Sequence, residues 1–154
     1  MIQRIQSLYL LLAAVLTGLT FAMPLSSFLG GAAEMKLNAL GFFDAEGQMV
    51  LSAYGLSALA GCAALLALVI IFLFKKRLVQ FRLCVVEMVL LAGTIVFEIY
   101  YIWGGVQSLG GFATAAWRMH IAALFPLFAL IFAYLGLLGI RKDILLIRSL
   151  DRIR

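Results

Sequence analysis

Side chains that could carry chemistry of their own are few in this chain. Its 154 residues include one histidine, two cysteines and seven acids. His120 alone cannot supply an HExxH metal motif, and a haem would normally want a second axial ligand beside it. Cys62 and Cys84 form no CxxC and lie in or at the edge of apolar stretches, which argues against a structural disulfide and further against a metal site. GxSxG and Walker loops are also missing. The sequence therefore predicts no cofactor, no metal site and no catalytic residues, and hence a protein that is not an enzyme. Charge is scarce as well: Asp, Glu, Lys and Arg make up 12% of the residues, against about 25% in soluble domains. With 66% hydrophobic residues and a mean hydropathy of +1.14, a soluble globular domain is excluded and a bilayer is the natural solvent.

What is abundant is apolar sequence, in four long runs of about 5–28, 50–74, 83–103 and 115–140, each long enough for a span of about 20 residues. They predict an all-α, integral membrane four-helix transmembrane bundle forming a single domain over 1–154. A signal peptide is the competing reading of the first run, but apolar character continues past Ala22 through Leu25, Phe28 and Leu29, so retention as a span is expected. Ala14, Gly18 and Ala22 recur every four residues there, as a small-residue packing face, and Ser57, Gly61 and Ala64 offer another in the second run.

The connecting segments divide the charge unevenly. Arg4, Lys75, Lys76, Arg77, Arg82, Arg141, Lys142, Arg148, Arg152 and Arg154 fall on one side of the predicted spans, and only Lys36 and Arg118 on the other. That bias orients both termini to the cytoplasm. Basic residues beside apolar spans imply membrane lipids as partners, with no need for nucleic acid. Residues 30–48 form an acidic external loop in which 41–50 could make a hairpin around its Asp-Ala-Glu-Gly turn. Lys75 to Arg82 is a short basic loop, Tyr100, Tyr101 and Trp103 match an interfacial aromatic belt, and 104–114 is a glycine-rich connector. Pro126 predicts a kink near Ala122 to Pro126. The tail 141–154 predicts an amphipathic helix at the cytoplasmic surface, and its Arg141, Lys142, Asp143, Arg148, Ser149, Asp151, Arg152 and Arg154 form a candidate interaction surface.

Both ends carry recognisable patterns: Met1-Ile2-Gln3-Arg4-Ile5-Gln6 followed by Leu8-Tyr9-Leu10-Leu11, and Arg141-Lys142-Asp143, then Arg148-Ser149, then Asp151-Arg152-Ile153-Arg154. On these the chain resembles a family of small four-span inner-membrane proteins of the Bacteroidota, classified as domain of unknown function 4293. Members typically carry an acid directly after the aspartate and often a valine before the arginine-serine pair, where this chain has Ile144 and Ile147. The resemblance implies four-span topology over the whole length and supplies no activity.

Ionisable groups inside spans are costly and are functional candidates by default. Glu87 and Glu98 are eleven residues apart, about 20° around a helix and about 16 Å along it, so they share a face. Arg118, about one turn inside span four, lies at the depth expected for Glu98, which predicts a Glu98–Arg118 ion pair joining spans three and four. Glu87 is a candidate polar site near the cytoplasmic end, and His120 an interfacial hydrogen-bonding residue. Two functions fit these residues. One is a non-enzymatic accessory or assembly factor that meets a membrane-protein partner, or a second copy of itself, through its basic surface. The other is a small oligomeric transporter or channel using Glu87 and Glu98. A lipid-modifying enzyme lacks a recognisable nucleophile and base.

Overall fold

The computed structural model describes residues 2–30, 33–73, 76–108 and 116–151, with side chains over 5–29, 34–73, 76–107 and 116–146. Four helices dominate: α1 (Ile2–Ala22), α2 (Tyr54–Phe72), α3 (Arg77–Ser108) and α4 (Phe125–Asp151). All four are long and apolar enough to cross a membrane. They pack as a ring in which α1 touches α2, α2 touches α3, α3 touches α4, and α4 returns to α1.

The chain is not purely helical. Strands β1 (Ser26–Gly30), β2 (Ala33–Asn38), β3 (Gly41–Asp44), β4 (Met49–Ser52) and β5 (Ala116–Met119) form one antiparallel sheet in the order β4-β3-β2-β1-β5. Ring order explains the long-range pairing. β1 leaves the end of α1 and β5 leads towards α4, so the neighbouring helices bring these strands together in the register Ser27↔Arg118 and Phe28↔Trp117. The hairpin expected within 41–50 is present as β3 and β4. Gly47 donates its backbone N–H to the Asp44 carbonyl at 2.9 Å and has φ +79, the left-handed residue that follows a type I turn in such hairpins. Gly41 is obligatory for a different reason, since a Cβ there would collide with the Leu51 carbonyl oxygen.

Several expected boundaries shift for identifiable reasons. The first helix ends at Ala22, because Pro24 and the paired strand Ser26–Gly30 take over the apolar stretch that follows. The fourth begins at Phe125, after a 3-10 turn at Ile121–Leu124. Pro126 therefore sits in the first helical turn, where its missing N–H costs nothing, rather than kinking a helix already under way. Residues 77–82 are the opening turns of α3, not a loop, and Gln80 donates from Nε2 to the Ile70 carbonyl at 3.2 Å, tying that start to the end of α2. Between Ile140 and Asp151 the helix is unbroken, so the described part of the tail continues α4.

The core is built from small side chains. Leu91 of α3 packs with Ala13, Ala63, Ala129 and Ala133 from the other three helices, and Gly136 lets Leu10 approach α4. The expected small face on α1 contributes only its buried Ala14, since Gly18 and Ala22 are exposed and the contact face runs through Leu10, Ala13, Thr17 and Thr20. On α2 the buried positions are Leu56, Ala60, Ala63, Ala67 and Ile70, while Ser57, Gly61 and Ala64 are half-buried beside them. A second core lies beneath the sheet, where Phe28, Leu37, Phe42 and Val106 pack with Trp117.

Candidate functional sites at the basic end and in the bundle

At the end of the bundle opposite the sheet, three helices converge on one carboxylate. Asp143 of α4 is buried, and its Oδ2 accepts from Gln6 Nε2 of α1 at 3.0 Å and pairs with Arg77 Nη1 of α3 at 3.1 Å. Gln6 gets this close because residue 139 is glycine: a Cβ there would fall 2.6 Å from Gln6 Cγ. A buried acid with one ionic and one neutral partner is satisfied, and its loss would strand the donors. Asp143 thus spends its charge inside the bundle. Around it Lys76, Arg82, Arg141 and Lys142 are exposed, and among the described residues none of them forms an ion pair. The side chains of Arg148, Ser149 and Asp151, and all of Arg152 and Arg154, lie outside the described residues.

The interior of α3 presents Cys84, Glu87, Leu91, Thr94 and Glu98 on one buried face. Glu87 is 0% exposed and Glu98 4%. Both oxygens of Glu87 and Oε1 of Glu98 have no hydrogen-bond partner among the described residues. Three buried hydroxyls of the bundle bond within their own helices. Thr17 donates to the Ala13 carbonyl at 2.8 Å, Thr20 to that of Thr17 at 2.6 Å and Thr94 to that of Leu90 at 2.9 Å, each within its own helix. Cys84 donates its thiol across to the Ala133 carbonyl at 3.5 Å.

Glu87 also lies deeper than one turn from the basic end. Leu91 packs against Ala63, the middle residue of Tyr54–Phe72. Glu87 is four residues from Leu91, about 6 Å along the axis, and ten residues from the start of α3 at Arg77, about 15 Å. Leu91 separates it from Glu98 on the shared face.

The Glu98–Arg118 ion pair does not form. Arg118 belongs to strand β5 and not to a helix, stands opposite Ser27, and is exposed. Strand pairing with β1 has drawn 116–119 out of the fourth span, so the helical depth argument does not apply to it. His120, just past β5, accepts or donates a 2.6 Å bond at Nε2 with Ser27 Oγ, while its backbone N–H reaches the Leu25 carbonyl at 2.9 Å. Sequence reasoning missed Gln6 and Arg77 as partners of Asp143, and β2 as a strand. For the strand the signal was there: Glu34, Lys36 and Asn38 alternate with Met35 and Leu37.

Residues 2–153 match the family described as Domain of unknown function (DUF4293), and the chain belongs to it. No curated protein matches the chain. The matched range includes both Gln6 and Asp143, the two residues that bond to each other here.

Proposed function

We propose that this protein is a non-enzymatic accessory or assembly factor of a bacterial inner membrane, with both termini cytoplasmic, and that it works through the basic surface at the ends of α3 and α4. The observation that carries this reading is the tie at Asp143. It turns the one described acid at that end inward and leaves Arg82, Arg141 and Lys142 exposed on a support built from three helices. A basic face held on three packed helices suits recognition of an acidic partner segment better than a free tail would, because less ordering entropy is lost on binding.

The tie also decides how to test the proposal. Cutting the chain after Ile140 would remove Asp143 and loosen the bundle along with the surface. Changing Arg141, Lys142, Arg148, Arg152 and Arg154 together to glutamine keeps Asp143 and leaves Arg4, Lys76, Arg77 and Arg82 to orient the chain. Cross-linking of the wild type in membranes is expected to recover a defined partner, reciprocally, that the substituted protein loses while its melting temperature is retained. Identical cross-linked partners for the two proteins would contradict the proposal.

A second reading, as a small oligomeric transporter, is favoured by one observation: Glu87 is fully buried, has no hydrogen-bond partner among the described residues, and lies well along α3 from its start. Against it, Leu91 and the alanines around it fill the space between Glu87 and Glu98. Proton or cation flux into proteoliposomes that is abolished by Glu87→Gln would favour transport over the accessory role.

A further inference from the structure

Where the sheet meets the last turns of α3 there is an apolar groove of about 500 Å³, within the roughly 300–1,000 Å³ of pockets that enclose small ligands. Its floor is Met35, Phe42 and Tyr101, and its rim Val50, Leu51 and Tyr100. The lining holds no ionisable group other than the two phenols, and such a surface offers water few of the two to four partners it needs.

The groove opens from a surface that is itself apolar. Tyr100 shares the exposed stripe of α3 with Val96 and Trp103, at positions i, i+4 and i+7, so the rim continues the face that a span presents to lipid. On the other side is β4, an edge strand of the sheet, with Met49 52%, Val50 60% and Leu51 58% exposed. In water an exposed apolar edge strand is an aggregation site. Beside the aromatic residues at the end of a membrane span it falls in the interfacial zone instead, where its side chains face lipid while headgroups and water can bond its free backbone groups. Both walls thus continue the lipid-facing surface, and what reaches this groove by diffusion in the membrane is an acyl chain.

The floor is made possible by glycine. A Cβ at Gly105 would come within 2.8 Å of Phe28 and 3.0 Å of Phe42, so the absence of a side chain lets the helix lie against those rings. At Gly104, which also lines the groove, a Cβ would meet nothing within 4 Å. We propose that this groove is a binding site for one phospholipid, taking an acyl chain of the leaflet at the sheet end between β4 and α3.

Gly104 provides the test, because it lines the groove and a Cβ there meets no neighbour, leaving room for a bulky side chain at the groove's edge. The full chain is purified in mild detergent, exposed to palmitoyl-oleoyl phosphatidylethanolamine, washed, and examined by native mass spectrometry. The wild type is expected to retain a single lipid, and Gly104→Phe to retain about ten-fold less. Val89→Phe, on the exposed mid-span surface of α3 away from the groove, should match the wild type. If circular dichroism shows that Gly104→Phe has not folded, Val50→Asp at the rim is judged by the same criterion. A wild type that retains no lipid, a lipid-free dimer, equal retention by the groove variant, or equal loss in Val89→Phe would each overturn the proposal.

Discussion

Among single residues, Asp143 has the most consequence for the bundle, since α1, α3 and α4 all depend on its one carboxylate. Asp143→Ala strands Gln6 and Arg77 and is expected to destabilise the fold by about 2–4 kcal/mol, less than a fully buried pair because Arg77 can turn to the headgroups. Asp143→Asn, which keeps an acceptor for Gln6, should cost less than the alanine change. Denaturant unfolding in detergent checks both. Glu87 is expected to behave oppositely. It is buried with no hydrogen-bond partner among the described residues, so Glu87→Leu removes two unsatisfied oxygens from an apolar core and should raise stability by about 1–3 kcal/mol in the same assay. A loss of stability on that change would mean that Glu87 has a structural partner. In the sequence the two acids differ little beyond the neighbours given by local spacing. What separates them is a partner on α1, 137 residues away from Asp143, which no local pattern encodes.

At the scale of elements, the helices were legible and the sheet mostly was not. Long apolar runs define spans by composition, so four helices follow from the sequence, while their ends are set by competing local structure. Ser26 to Gly30 reads as the tail of an apolar run and becomes a strand only because β2 and β5 lie beside it. β5 needs β1, which is distant in sequence and close only once α1 and α4 have packed. The hairpin β3–β4 was legible because its turn is local. Gly41→Ala should disrupt that hairpin, with a cost of about 1–3 kcal/mol and protease sensitivity at residues 44–48, while helical circular dichroism is preserved. Pro126→Ala should change stability by less than about 1 kcal/mol, in contrast to the ~3 kcal/mol associated with proline in a helix interior. A large change in helix content on that substitution would contradict its first-turn placement.

At the scale of the whole molecule, the chain has two unlike ends: a sheet with an apolar edge and a groove at one, and an inward-turned acid ringed by exposed bases at the other. The charge bias in the sequence anticipated which segments share an end, and the contact between Gln6 and Asp143 brings the two terminal helices together at the basic one. The proposed function requires that this basic end face the cytoplasm. Accessibility of single cysteines, in a background where Cys62 and Cys84 are replaced by alanine, tests it most directly. Ala45→Cys lies on the exposed hairpin turn and Lys142→Cys on the exposed basic end. In right-side-out vesicles a membrane-impermeant maleimide should label Ala45→Cys at once and Lys142→Cys only after permeabilisation. The reverse pattern, or labelling of both from outside, would contradict the account.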